Sequence, residues 1–180
     1  DWRVVVCDVG QGDGIVIATG AGRAVLVDTG PDPTSVPRCL RRLGVTGLDA
    51  LVITHFDLDH TAGPAAVAAG WPVREIFVPP VGADDGSEEL VLQEAGARRI
   101  PVRELRGGDR LDWGGVRASV WWPLRTIRAG SVSNNSSVVL AVESGSGQGM
   151  TRALLLGDIE RESGRAILGA LRREPTWQEF

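Results

Sequence analysis

Both histidines of the chain lie in one six-residue stretch, which reads His55-Phe56-Asp57-Leu58-Asp59-His60. Imidazole nitrogens and carboxylate oxygens are common protein ligands of divalent metal ions. Side chains alternate along an extended segment, so His55 and Asp57 point the same way and can bind one ion. Asp59 and His60 follow where the chain turns into a helix, and they can face a second ion. The stretch predicts a metal-binding loop, with a solvated turn containing a helix-capping Asp as the alternative.

Two further polar features lie beside apolar segments. One is Asp158, which follows such a segment, and the other is a polar cluster that precedes one. Asp158 comes after the apolar run 153–156 through Gly157, and a carboxylate there can bridge two cations. Capping of the helix predicted to begin at residue 159 is an equally good explanation of Asp158. Residues 134–137, with the sequence Asn-Asn-Ser-Ser, form a third polar cluster, which by itself is typical of a turn.

The elements that must position these residues alternate between strands and helices in the first half of the chain and are mostly strands in the second. The metal-binding loop directly follows a short apolar run, residues 48–54, which is typical of a buried strand. Sites in α/β proteins commonly lie at the carboxyl ends of such strands. We predict strands at 3–9, 15–19, 24–28, 48–54, 75–78, 102–105, 110–113, 116–122, 137–143 and 152–156, and helices at 35–43, 62–69, 88–95 and 159–171.

Composition is that of one soluble globular domain spanning residues 1–180. Hydrophobic residues make up 43% and charged residues 23%, which excludes wholesale disorder. No apolar run is long enough to span or insert into a bilayer. The net charge of −4 argues against a protein that coats nucleic acid through excess positive charge. Cys7 is predicted to be a small core residue, and whether it pairs with Cys39 is left open.

The metal-binding loop resembles the signature of the metallo-β-lactamase superfamily, which is usually His-x-His-x-Asp-His. Asp57 stands at the position of the second His. Four other segments follow in the order expected of one branch of that superfamily, the C-terminal domain of the ComEC family of DNA-uptake channel proteins. The resemblance runs from residue 3 to about residue 170, and the segments that carry it are 8–13, 26–30, 134–140 and 156–160.

The resemblance implies an α/β fold, a four-layer αββα sandwich with a two-metal site at one edge. It implies that His55 and Asp57 bind the first ion, that Asp59 and His60 bind the second, and that Asp158 bridges them. Asp59 is also the residue expected to orient the attacking water. The resemblance also implies that Asp28 supports the loop through hydrogen bonds and that Gln11 and Asp13 form the rim of the site. It implies that Asn135 and Ser136 replace the further His ligand that the superfamily usually has at this position.

The resemblance also implies a function. It is that of a metal-dependent phosphodiesterase or nuclease that degrades the non-imported DNA strand on the extracytoplasmic side of the cytoplasmic membrane. The implied partners are DNA and the membrane channel of the same parent protein. The oxygen-rich ligand set favours two Mn²⁺ ions, with Zn²⁺ as the alternative. Two other functions stay open: a hydrolase of small esters or phosphoesters, and a catalytically weak interaction domain.

One departure from the family supports the last alternative. Family members usually continue past the Gly157-Asp158 motif through another strand to a His-His-Gly-Ser segment. This chain has no third His, and residues 174–180 do not resemble that strand. We therefore expect the last strand and helix of the fold to be missing and the second metal ion to bind weakly.

The chain has one basic cluster, formed by Arg98, Arg99, Arg103, Arg106 and Arg110. A solvated face is one explanation of this cluster. A track for the phosphate backbone of DNA is the other.

Overall fold

A computed structural model of the chain describes residues 2–82, 86–145 and 149–172. The strands in these ranges are β1 Val4–Val6, β2 Ile15–Gly20, β3 Arg23–Val27, β4 Gly47–Val52, β5 Ile76–Val78, β6 Val102–Glu104, β7 Arg110–Asp112, β8 Val116–Trp122, β9 Val139–Ser144 and β10 Thr151–Leu155. The helices are α1 Ser35–Arg42, α2 Leu58–Thr61, α3 Pro64–Gly70, α4 Ser87–Arg98 and α5 Arg161–Leu171, with a 3₁₀ turn at Asn134–Ser136. The segment 174–180 lies outside the described residues.

The strands form two sheets. The first has the order β1-β2-β3-β4-β5-β6, in which β1 to β3 pair antiparallel and β3 to β6 pair parallel. The second has the order β10-β9-β8-β7 and is antiparallel throughout. Parallel pairing of β3, β4 and β5 places their carboxyl ends at one edge of the first sheet.

Alternating apolar side chains give the first sheet two buried faces. One face packs against α1, α3 and α4, through a cluster that includes Val16, Leu26, Leu40, Val67 and Val91. The other face packs against the second sheet, through a cluster that includes Ile17, Val25, Val27, Val120 and Leu140. Because both faces of the first sheet carry apolar side chains, helices cover one face and the second sheet covers the other.

The outer face of the second sheet is covered by α5. Trp121, Trp122 and Val139 form a third buried cluster with Ile167 of that helix. The layers therefore run helix, sheet, sheet, helix, and the predicted αββα sandwich is confirmed.

Several predicted boundaries shift by a few residues. β1 ends at Val6 rather than at residue 9, and α4 extends three residues past its predicted end. α5 begins at Arg161 and its N-cap is Glu160, so the explanation of Asp158 as the cap of that helix is wrong. This displacement leaves Asp158 in the turn between β10 and α5.

Cys7 and Cys39 form a disulfide, which ties the segment after β1 to α1. Cys7 is buried in the first core cluster, as predicted. Among the described residues, no helix combines the length and the apolar character that crossing a membrane requires.

Candidate metal centre

The predicted ligands lie where the edges of the two sheets meet. His55 lies in the loop that follows β4 in the first sheet, His60 lies in the short helix α2 directly after that loop, and Asp158 follows β10 in the second sheet. The backbone N–H of Val138 donates to the carbonyl of Thr54 at 2.8 Å, which joins the sheets at this edge. The ring centroids of His55 and His60 are 4.1 Å apart. One ligand atom each from His55, His60 and Asp158 lies within 4.8 Å of the other two.

Hydrogen bonds fix the tautomer of both imidazoles. The hydroxyl of Thr54 donates to Asp28 Oδ2 at 2.6 Å, so its oxygen must accept from Nδ1 of His55, 3.0 Å away. His60 Nδ1 donates to Asp28 Oδ2 at 2.8 Å. In its neutral form each ring therefore carries its proton on Nδ1, which leaves the lone pair on Nε2 available to bind a metal.

Both Nε2 atoms are buried and lack a hydrogen-bond partner. A buried polar atom without a partner is costly, and proteins retain one where a ligand satisfies it. Nε2 of His60 lies 3.5 Å from Asp158 Oδ1, and that carboxylate is partly exposed. Two free imidazole nitrogens beside a carboxylate are the donor set of a divalent metal ion, so these residues fit the ion that the sequence predicts.

Asp57 and Asp59 each lie near one of the two imidazoles. Asp57 Oδ2 is 3.7 Å from Nε2 of His55, and its Oδ1 accepts from the Ser133 hydroxyl at 2.5 Å. Asp57 occupies the N-cap position of α2, but its side chain makes no capping hydrogen bond. Asp59 Oδ1 is 4.0 Å from Nε2 of His60, and its Oδ2 accepts from Gln11 Nε2 at 3.0 Å. Asp57 thus lies near His55 and Asp59 lies near His60, and the binding of a separate ion by each pair stays a prediction.

Asp28 is fully buried beneath the loop. Its Oδ1 accepts from the backbone N–H of Thr54 at 2.8 Å, and its Oδ2 accepts from the Thr54 hydroxyl and from His60. Its backbone has φ 58°, a left-handed conformation in which Asp is more readily accommodated than most residues. Asp28 therefore holds the loop through hydrogen bonds and has no oxygen left without a donor.

Burial and neighbouring charges shift the pKa values in this cluster. Burial opposes the charged form of His60, but its hydrogen bond to Asp28 and the negative charge there outweigh that effect and raise the pKa of His60 to about 9. Burial and the charge of His60 lower the pKa of His55. Burial and the nearby Asp28 raise the pKa of Asp13. Asp13 also forms a second close group with Asp28 and His60, so the predicted rim residue lies against the site.

Asn135 and Ser136 use their side chains within their own loop and its neighbour. Asn135 Nδ2 donates to Glu160 Oε2 at 2.9 Å, and its Oδ1 accepts from the Ser163 hydroxyl at 2.6 Å. The Ser136 hydroxyl donates to the carbonyl of Val132 at 2.7 Å. Both residues therefore anchor the 3₁₀ turn, and the structure shows neither of them paired with the metal-binding loop.

Sequence reasoning gave no role in the site to three residues that contact the predicted ligands. Thr54 holds His55, Ser133 holds Asp57, and Ser137 accepts a hydrogen bond from the backbone N–H of Asp158 at 3.3 Å. Ser133 and Asp57 are 76 positions apart, so no local spacing signals their contact. The polar cluster at 134–137 was the available signal, because it places several hydrogen-bonding side chains at the start of a strand.

Gly12 allows the β1–β2 loop to pack on the metal-binding loop. Its φ is 75°, and a Cβ at this position would overlap the backbone carbonyl of Asp59. Gly10 in the same loop also has a positive φ, but a Cβ there would meet no atom within 4 Å. Close backbone approach therefore explains Gly12, and it brings Gln11 within reach of Asp59.

An αββα sandwich whose sheet edges bring two imidazoles and a carboxylate together is characteristic of one class of metal-dependent hydrolases. The sequence model of the metallo-beta-lactamase superfamily matches residues 7–126. The chain belongs to this superfamily.

Curated relatives place the chain more narrowly. It is 29% identical over 187 residues to ComE operon protein 3 of Bacillus subtilis (strain 168), an alignment covering 93% of this chain and 23% of that protein. It is 30% identical over 169 residues to Competence protein ComA of Neisseria gonorrhoeae, covering 92% of this chain and 21% of that protein. The chain thus spans about a fifth to a quarter of the length of these relatives. The predicted resemblance to ComEC-like competence proteins is confirmed.

Solved structures share the fold at low identity. The Zn(2+)-bound PqqB from Methylobacterium extorquens has a TM-score of 0.56 and 14% identity, and the match covers 85% of this chain and 61% of that one. The subclass B3 metallo-beta-lactamase MEM-A1 from a soil metagenome library has a TM-score of 0.58 and 13% identity, covering 84% and 59%. At identities this low, the structural matches establish a common fold and nothing further.

Proposed function

We propose that this chain is the metal-dependent phosphodiesterase domain of a DNA-internalisation protein and that it degrades the DNA strand that is not imported. The observation that carries the proposal is the pair of buried, unpartnered Nε2 atoms of His55 and His60 beside Asp158. One relative is named Competence protein ComA and another ComE operon protein 3, and these names support DNA as the substrate.

The ligand assignment follows the two halves of the cluster. His55 and Asp57 would bind one divalent ion, and Asp59 and His60 would bind the other. Asp158 would bind both ions. Two such ions lower the pKa of a shared water and stabilise the charge that develops on a phosphate. Asp59, held by Gln11, accepts a hydrogen bond from the attacking water and orients it toward the phosphorus. Asp28 keeps the His60 lone pair directed at the site by holding the proton on Nδ1.

The carboxylate of Asp57 supports Mn²⁺ as the preferred ion. The superfamily signature usually has a neutral His at this position. A carboxylate oxygen is a harder donor than an imidazole nitrogen, and it adds a negative charge beside the ions. Zn²⁺ is the competing assignment, because the two imidazoles also suit it.

The disulfide between Cys7 and Cys39 supports a position on the extracytoplasmic side of the cytoplasmic membrane. Disulfides persist in oxidising compartments and are rare in the cytosol. The competence-protein relatives are four to five times as long as the matched region, so the proposal includes a membrane channel in the same parent protein as the second partner beside DNA.

A cleavage assay tests the proposal. The chain is incubated with single-stranded and duplex DNA in Mn²⁺, Mg²⁺ or Zn²⁺, beside p-nitrophenyl phosphate esters, a carboxylic ester and a chromogenic β-lactam. We expect Mn²⁺-dependent DNA cleavage that Asp158→Asn reduces by about a hundredfold, because the loss of a shared ligand removes several kcal/mol of charge stabilisation. Glu89→Gln, which removes an exposed carboxylate of α4, serves as the matched control. Faster turnover of a small ester or lactam than of DNA would contradict the proposal.

A further inference from the structure

Three buried side-chain polar atoms in the described part of the chain have no hydrogen-bond partner. They are Nε2 of His55, Nε2 of His60 and Oδ1 of Asn134. The first two are the ligand atoms of the candidate metal centre. The third is an amide oxygen, which is also a metal ligand in proteins, chiefly for hard cations. Asn134 thus shares with the two histidines the property that distinguishes them from the rest of the described chain.

The loop that carries Asn134 lies between two of the predicted metal ligands. One residue before Asn134, the Ser133 hydroxyl donates to Asp57. Three residues after it, the Ser137 hydroxyl accepts from the backbone N–H of Asp158. The next residue, Val138, donates its N–H to Thr54, whose hydroxyl contacts His55. Contacts made by residues on both sides of Asn134 therefore place this turn beside the half of the candidate site formed by His55 and Asp57.

The neighbours of Asn134 have their own partners. Asn135 bonds Ala129, Glu160 and Ser163, and Ser136 bonds Val132. The backbone N–H of Asn134 donates to the Ser131 hydroxyl, and its backbone carbonyl accepts from the N–H of Ser137. The buried side-chain oxygen of Asn134 is therefore an acceptor of this turn that has no hydrogen-bond donor.

We propose that Oδ1 of Asn134 is a ligand of the first metal ion, together with His55 and Asp57. This inference rests on the proposed metal site. Removing an amide oxygen from water without giving it a donor or a cation is unfavourable, and a bound cation would supply the missing partner. The family resemblance led us to expect that Asn135 and Ser136 replace the superfamily's further His ligand. The present assignment gives that role to Asn134 instead.

The proposed ligand set predicts which divalent ion the first site prefers. The first ion would be bound by one imidazole nitrogen and by the oxygens of Asp57, Asn134 and Asp158. A shell with one nitrogen and three oxygens suits Mn²⁺ or Mg²⁺ better than Zn²⁺. Because the Asn amide is neutral, it supplies an oxygen donor without adding a fourth carboxylate charge to Asp57, Asp59 and Asp158.

Calorimetric titration of Mn²⁺ and of Zn²⁺ into the metal-free chain tests the inference without any activity measurement. We expect Asn134→Ala to weaken one Mn²⁺ site about tenfold or more, since lost metal-site contacts cost 10–100-fold in affinity. Asn134→Asp, which keeps the oxygen and adds a charge, should tighten Mn²⁺ binding. Asn134→His should favour Zn²⁺ over Mn²⁺ relative to the wild type.

Gln93→Ala is the matched control, because it removes an exposed amide of α4. Thermal unfolding in EDTA identifies any variant that fails to fold, and Asn134→Asp keeps the test possible if Asn134→Ala is such a variant. Equal Mn²⁺ affinity and stoichiometry in wild type, Asn134→Ala and Asn134→Asp would overturn the assignment of Asn134. Absence of divalent-ion binding by the wild type would instead overturn the proposed function.

Discussion

The buried hydrogen bond between His60 and Asp28 determines how metal binding depends on pH. A metal ion binds neutral imidazole, whereas the pKa of His60 is raised to about 9 in the metal-free protein. Below that pH, binding must expel a proton. We expect metal affinity to rise roughly tenfold per pH unit from pH 7 to 9 and then to level off, as measured by calorimetry. Buffers of different ionisation enthalpy count the released protons.

Asp28→Asn provides the control for this pH dependence. The amide keeps the shape of the side chain but removes the negative charge that favours protonated His60. The pKa of His60 should fall, and affinity should then vary little above pH 7. An affinity of the wild type that is constant between pH 7 and 9 would show that His60 is not a ligand in its neutral form.

Asp57 sets the metal preference in our assignment. Replacing it by His restores the usual superfamily pattern and removes a hard, charged oxygen donor. Asp57→His should therefore shift the ranking from Mn²⁺ toward Zn²⁺ and lower Mn²⁺-supported DNA cleavage. The measurement is cleavage rate across Mn²⁺, Mg²⁺ and Zn²⁺ for both forms. An unchanged ranking would mean that Asp57 does not bind the ion.

At the scale of elements, the β1–β2 loop positions Asp59 through Gly12. In Gly12→Ala the new Cβ would overlap the carbonyl of Asp59, so the metal-binding loop must move. Gly10→Ala imposes a similar positive-φ strain, of about 1 kcal/mol, in open space. We expect both variants to lose stability but only Gly12→Ala to lose metal affinity, by about tenfold. Equal affinity in the two variants would show that this loop does not support the site.

Local patterns predicted most elements and the metal-binding loop. The 3.6-residue spacing of Val36, Leu40 and Leu43 predicts α1, and the closely spaced His and Asp residues from His55 to His60 predict the metal-binding loop. The start of α5 was misplaced because Asp158 is a preferred N-cap residue type, whereas the helix begins after Glu160, which makes no side-chain capping hydrogen bond. Boundaries of this kind depend on tertiary contacts, which spacing does not encode.

Contacts between distant segments explain the rest of what the sequence left open. Ser133 meets Asp57 across the two sheets, and Cys7 meets Cys39 across a separation of 32 positions. Asn134 was overlooked because a row of small polar residues is typical of a turn. Its distinguishing property, a buried oxygen without a donor, exists only in the folded chain.

At the scale of the whole molecule, the charges around the Arg98–Arg110 cluster favour a solvated face. Arg103 lies 3.7 Å from Glu75, and Arg106 donates to Glu104 at 2.8 Å. Carboxylates this close offset the positive charge that a phosphate would need. We expect Arg103→Glu and Arg106→Glu to leave the salt dependence of DNA binding unchanged in a fluorescence-anisotropy titration. A flatter salt dependence would instead support a DNA track along these residues.

The proposed metal ligands come from both sheets, with His55 and His60 after β4 and Asp158 after β10. The distance between these ligands is therefore set by how the sheets pack, and that packing depends on side chains such as Ile17 and Leu140 in the interior between them. A change of volume at either position tilts one sheet against the other and spreads or compresses the ligand set at the rim. Evolution can therefore tune the chemistry of this site through interior residues that touch neither ion nor substrate.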